Sequence, residues 1–272
     1  MLNGLLVTYS QEYILIVAYI LAGVIGLCVG SFLNVVIYRV PNQMSLAKPA
    51  SHCPKCEYVL HWYDNIPVLS YLMLGGKCRK CKEPISIRYT LVELGNMLLW
   101  ILCVALFWEE SIVYACIAMV MCSVLICIFF IDLEHMLIFN RFTISVAVMG
   151  IVAIFFDSYT VVWDHLIGAA AGGIVFVAIY YGGVWILKKE GLGWGDVKLA
   201  AAAGLFLGWQ KLILSMLIAS VGACIVLLIL RLLRKDENGK EYPFAPFIVT
   251  GMLVAMLFGT GILNWYVSLF FI

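Results

Sequence analysis

Charge is scarce in this sequence. Only 12% of its 272 residues are Asp, Glu, Lys or Arg, against roughly 25% in soluble globular domains. With half the usual solvating surface missing and 64% of the residues hydrophobic, a water-soluble domain is excluded, and so is disorder. The chain also lacks the alternating polar and apolar pattern of a transmembrane β-barrel. Its first ten residues hold no Lys or Arg and no small-residue cleavage site follows the first apolar run, so no signal peptide is expected. Phosphate loops, a Ser–His pairing and the glycine-rich nucleotide fingerprint are absent as well. The net charge of +1 gives no reason to expect a nucleic-acid partner, because the placement of charges matters more than their sum.

What is present is a series of long apolar blocks, several near the ~20 residues that cross a bilayer as helix. They fall at about 13–38, 89–108, 111–132, 141–156, 164–187, 197–209, 211–233 and 246–271. The expected fold is therefore an all-α polytopic membrane protein of about eight transmembrane helices, or seven if the short segment at 197–209 does not cross independently. Threading the segments alternately places every one of the 17 basic residues except Lys211 on one side. Lys189, Arg234, Lys235 and Lys240 are among them. By the positive-inside rule that side is cytoplasmic and the N-terminus lies outside. The short outer loops carry Glu109, Glu110, Asp157 and Asp164, in agreement.

The ten cysteines form two populations. Cys28, Cys103, Cys116, Cys122, Cys127 and Cys224 lie within apolar spans, where a thiol acts as a small hydrophobe. Cys53 and Cys56, then Cys78 and Cys81, form two C-x2-C turns separated by 21 residues in the first loop. That interval is close to the usual spacing of a zinc ribbon. In a reducing cytosol disulfides are disfavoured, which leaves a tetrathiolate zinc site, with redox cysteines or an iron site as alternatives. Four thiolates leave no open coordination position, so the metal would be structural. His52 could replace one sulfur but reads better as a surface residue.

Two carboxylates sit where apolar spans end. Each costs about 2.5–3.5 kcal/mol within a membrane helix and is a functional candidate by default. Asp132 closes the run 124–131, and Asp196 follows Gly191-Leu192-Gly193-Trp194-Gly195. Alternation puts both at the cytoplasmic boundary. Gly193 and Gly195 remove side chains and would let an extended substrate approach. Two aspartates sharing a site suit amide hydrolysis, one protonated and polarising the carbonyl, the other activating water. Plainer roles are a helix cap for Asp196, a snorkelling end for Asp132 and a boundary anchor for Lys198. The pairs Gly26/Gly30, Gly168/Gly172 and Gly204/Gly208 have the spacing that lets membrane helices pack closely.

Together these blocks resemble the type IV prepilin peptidases, the leader peptidase/N-methyltransferases. The resemblance rests on Gly30-Ser31-Phe32-Leu33-Asn34-Val35-Val36-Ile37-Tyr38-Arg39-Val40-Pro41, the paired C-x2-C loop with Trp62 and Asn65-Ile66-Pro67, and Arg88-Tyr89 with Glu93. It continues through Asp132, Gly193-Trp194-Gly195-Asp196-Val197-Lys198-Leu199 and Pro243-Phe244-Ala245-Pro246. Thr90 and Phe139 stand where the family usually has proline, and Ala245 where it has glycine.

The resemblance implies a division into a first helix (1–38), a tetracysteine loop (39–88) and an aspartic peptidase core (89–272). Asp132 and Asp196 would be catalytic, with Gly193, Gly195 and Lys198 binding substrate. It implies cleavage of a prepilin or pseudopilin leader after glycine, at the cytoplasmic face of a prokaryotic inner membrane. Methylation of the new N-terminus from S-adenosylmethionine would follow. Candidates for holding the methyl donor are Asn34, Glu93 and Asn96, although Glu93 could instead pair with Arg88. Glu57, Asp64, Glu83 and Glu134 could meet a basic leader, though a solvated face is the plainer expectation. Two other readings remain: a GxGD-type intramembrane protease without methyl transfer, and a non-enzymatic zinc-bearing scaffold or transporter in the membrane lipid.

Overall fold

The computed structural model describes residues 2–157, 161–188, 192–233 and 242–270. Lys189, Gly191, Arg234, Lys235 and Lys240 lie outside them. The chain forms two compact units, Met1–Glu109 and Glu110–Ile272. Among the described residues there is no strand beyond isolated β-bridges.

The first unit pairs α1 (Leu2–Arg39) with α3 (Arg88–Phe107). Gly26 and Gly30 set their spacing: a Cβ on Gly30 would lie 2.7 Å from the Glu93 Cα, and one on Gly26 3.0 Å from the Met97 Cα. Side-chain amides cross the seam. Asn34 donates to the Tyr89 carbonyl at 3.0 Å and Asn96 to the Gly26 carbonyl at 2.8 Å. Between the two helices runs the cysteine loop, with a 3-10 turn at Trp62–Asn65 and the short α2 (Leu69–Met73).

The second unit holds α4 (Ile112–His135), α5 (Asn140–Ala153), α6 (Val162–Leu187), α7 (Trp194–Leu232) and α8 (Ala245–Phe270). Ser111 caps α4 by accepting the Tyr114 N–H at 3.2 Å. At 39 residues, α7 would run ~58 Å if straight, about twice the hydrocarbon thickness. It is not straight. Gly208 takes φ 76° and ψ 166°, a backbone state suited to glycine. Ala200 and Leu212 both lie against Gly172 of α6, whereas a continuous helix would hold them ~18 Å apart. The chain therefore reverses at Gly208, and the apolar segments at 197–209 and 211–233 are two arms of one helical hairpin.

Six of the described helices are long and apolar enough to cross a membrane; α5, at 14 residues, is shorter. All eight apolar segments are thus helical, with two of them joined end to end in α7.

The reversal is held by α6. His165 Nδ1 lies 2.9 Å from the Leu205 carbonyl, and Trp209 Nε1 donates to Asp164 at 3.0 Å. Gly168 and Gly204 meet backbone to backbone, and a Cβ on Gly168 would lie 2.5 Å from the Gly204 carbonyl oxygen. Gly173, one residue beyond this seam, would meet only the Ala201 Cβ at 3.6 Å. Gly168→Ala is therefore expected to destabilise by about 1–3 kcal/mol, the usual range for overpacking. Gly173→Ala should be neutral or gain up to about 1 kcal/mol of helix propensity. Thermal unfolding of the two variants in detergent checks the contrast.

Candidate active site and metal centre

Asp132 lies in the last turn of α4, which ends where Met136 turns left-handed (φ 53°) and returns its N–H to the Asp132 carbonyl at 2.8 Å. Its carboxylate, 5% exposed, accepts the Ala245 N–H at the start of α8 at 3.2 Å. Asp196 lies in the first turn of α7 and is 7% exposed. Its Oδ2 accepts the Gly193 N–H at 3.1 Å, while its buried Oδ1 has no protein partner. Ile138, six residues beyond Asp132, packs against Gly195, the residue before Asp196. The two aspartates are thus brought together at one end of the second unit.

Asp164 shows what a purely structural aspartate looks like in this fold. It occupies the same first-turn position on α6, and both of its oxygens are used, by the Val161 N–H and by Trp209. Asp196 caps with one oxygen and keeps the other. A buried carboxylate oxygen without a donor is costly, which sets Asp196 apart from a purely structural cap.

Gly193 begins the cap. Gly195 lies so close to the segment after α4 that a Cβ would meet Ile138 Cβ at 2.9 Å. Lys198 donates to Asn140 Oδ1 at 2.9 Å, tying α7 to the first residue of α5. All three lie in the first turns of α7 or just ahead of it, beside Asp196 in the chain. The departures from family pattern spare the groups that matter: Ala245 supplies a backbone N–H, which no side chain alters, and Phe139 keeps φ −76°, a value proline would share.

Asn34, Glu93 and Asn96 follow one another along the α1–α3 seam of the first unit. Asn34 keeps a buried Oδ1 without a partner. Glu93 accepts the Val68 N–H at 2.7 Å. Asn96 is fully buried.

The cysteine loop is built on a repeat of 25 residues. In each half an isolated antiparallel bridge (His52 with Val59, Lys77 with Pro84) closes a turn. Cys53 and Cys78 donate their N–H groups to Tyr58 and Glu83, both at 2.9 Å. Glu57 and Lys82 take the same left-handed backbone, at φ 57° and 59°. The Sγ atoms of Cys53 and Cys81 lie 3.8 Å apart, those of Cys56 and Cys78 3.9 Å, and all four fall within 4.8 Å of one another. A tetrahedron with metal–sulfur bonds of about 2.3 Å has edges of about 3.8 Å. The cluster can hold a metal ion. Backbone N–H groups of Cys81 and Lys80 favour the Cys78 thiolate and bring its pKa down to about 6. His52 is exposed, with Nδ1 3.0 Å from the Ala50 carbonyl, outside the cluster.

Asp64 is not a solvated residue. Its side chain is buried and links the two halves of the loop, accepting from Arg79 at 2.6 Å, Tyr58 at 3.0 Å and the His61 N–H at 3.3 Å. Burial alone would raise its carboxyl; these donors outweigh it and hold the group below the ordinary aspartate value. Arg39 is likewise structural. Buried, it donates to the Ser45, Leu46 and Pro49 carbonyls at 2.9, 3.2 and 2.6 Å, organising the chain as it leaves α1. Its place within the 30–41 block was the one sign of this in the sequence.

A helical membrane protein with paired buried aspartates and a four-cysteine loop is the class these features define. Two family models match: the bacterial peptidase A24 N-terminal domain over residues 24–107, and the type IV leader peptidase family over residues 119–230. The chain belongs to the type IV leader peptidase family. It is 43% identical over 226 residues to a prepilin leader peptidase/N-methyltransferase of Myxococcus xanthus, covering 81% of this chain and 67% of that one. Proteins of the same name from Aeromonas salmonicida (35% identical, 89% and 91% covered) and Pseudomonas aeruginosa (34%, 92% and 94%) are also similar. No solved structure matches the chain.

Proposed function

We propose that this protein is a membrane-embedded aspartic endopeptidase that removes the leader of type IV prepilins or pseudopilins after glycine and methylates the new N-terminus. The observation that carries the peptidase half is the pair of buried aspartates, Asp132 and Asp196, at adjoining helix ends, with the Asp196 Oδ1 bound by no protein donor. One proton shared between two buried carboxylates serves hydrolysis: one aspartate takes a proton from water as it attacks, and the other donates a hydrogen bond to the scissile carbonyl. Gly193 and Gly195 would admit the extended leader, with Lys198 holding the rim through Asn140. The positive-inside bias supports a cytoplasmic position for this site and the cysteine loop, with the N-terminus outside, and a prepilin substrate fits a prokaryotic inner membrane.

The four thiolates suit zinc, whose softness and tetrahedral preference they meet and whose role there would be structural. For the methyl donor, the unpartnered Asn34 Oδ1 fits an N–H of an adenosyl group, and Glu93 fits an ammonium. Asn96 would keep the two helices at the right spacing. S-adenosylmethionine supplies the methyl group when bound. The relatives' names pair both activities, which disfavours a protease without methyl transfer and a non-enzymatic scaffold.

The test is to incubate the purified chain with a prepilin and methyl-labelled S-adenosylmethionine. Leader release together with label on the mature pilin is expected. Cleavage without label would remove the second activity, and an intact prepilin would remove the first.

A further inference from the structure

The short α2 buries none of its residues. Leu69 and Leu72 are exposed, Met73 is 85% exposed, and Trp62, in the turn before it, is 80% exposed. Five residues cannot hold a helix in water on propensity alone. Four large apolar side chains in one stretch of loop also mark a surface that something covers.

The spanning helix beside it says what. Glu93 lies five residues beyond Arg88, the first residue of α3, or ~7.5 Å along its axis. Its carboxylate takes the Val68 N–H at 2.7 Å, immediately ahead of α2. Val68 is a β-branched residue at φ 61°, a costly backbone state, so the loop adopts this position against local preference. The bond holds the start of α2 within the first turns of a membrane-spanning helix, at the depth of lipid headgroups. Residues 69–88 also carry Lys77, Lys80, Lys82 and Arg88, besides Arg79 that Asp64 engages, against Glu83 alone. A short apolar face beside cationic side chains is the composition of an interfacial anchor. Tryptophan is the residue most at home at that level.

We propose that α2 and Trp62 form a membrane-surface anchor, with Leu69, Leu72 and Met73 seated at the acyl boundary of the bilayer that carries the chain. The cysteine loop is thereby laid on the lipid surface rather than projecting from it.

The full chain in nanodiscs of anionic phospholipid, one chain per disc, tests this with a membrane-impermeant methionine oxidant. N-acetylmethionine amide in the same sample is the internal standard. Mass spectrometry should find Met73 oxidised many-fold more slowly than the standard. Oxidation close to the standard's rate, as its exposure in the chain alone dictates, would overturn the anchor. So would protection seen only in discs holding two chains, which would assign the face to a second copy. An independent reading is quenching by acyl-brominated lipid. The emission lost between wild type and Trp62→Phe should be bromine-sensitive, and an insensitive Trp62 component would equally refute the proposal.

Discussion

Asp132→Asn and Asp196→Asn each lower the rate of prepilin cleavage by about a thousand-fold or more, within the usual range for losing a positioned general acid or base. The size follows from the site. The carboxylates are buried, Asp132 is held by one backbone donor and Asp196 by another, and neither has a cationic partner among the described residues. Asparagine preserves shape and can keep accepting the Ala245 or Gly193 N–H, so the α4, α7 and α8 ends stay together. It cannot take a proton from water, and that alone abolishes the chemistry. Because the substitution also removes a buried carboxylate, the unfolding temperature should not fall.

Two controls make this result specific. Asp164→Asn, at the equivalent turn of α6, should leave cleavage intact, because both of its oxygens serve structure. A pilin peptide already lacking its leader should still be methylated by Asp132→Asn, because the residues proposed to hold the methyl donor, Asn34, Glu93 and Asn96, belong to the first unit. Cleavage surviving in both single mutants would sink the paired-aspartate mechanism.

Much of this architecture was legible in the sequence because it is written in local patterns. The break between the segments at 197–209 and 211–233 corresponds to a real reversal, and the Gly204/Gly208 and Gly168/Gly172 spacings lie on the seam that stabilises it. The cysteine pairs are a local repeat as well. What spacing could not supply is which distant groups meet. The Ala245 N–H reaches Asp132 across 113 positions, and Glu93 reaches Val68 across 25. Neither contact leaves a periodicity behind. Asp64 is hidden from the sequence for the same reason. An aspartate among polar residues reads as solvated until Arg79, Tyr58 and the His61 N–H are found around it. The length of α5 is a further case: its apolar run extends to 156, yet the helix ends at Ala153.

Losing the metal has the other large effect. The purified wild type is expected to hold one zinc per chain, and Cys53→Ser to lose nearly all of it, because structural zinc contributes about 10–16 kcal/mol in small zinc-folded domains. The loop has little else to fold around: its bridges are isolated, and apart from the Asp64 cluster it buries few side chains. Residues 51–86 should therefore become open to protease while the far-ultraviolet helical signal remains. The repeat sharpens the expectation. Cys53 and Cys78 are equivalent positions, as are Cys56 and Cys81, so serine at either member of a pair should reduce bound zinc alike. His52→Ala should not reduce it, since His52 stands outside the cluster. Unchanged metal content in Cys53→Ser would refute the tetrathiolate site. The functional consequence should be one-sided. Unfolding the loop withdraws the Val68 N–H from Glu93 and loosens the α1–α3 seam, so methyl transfer should fall. Asp132 and Asp196, held by α4, α7 and α8, should go on cleaving.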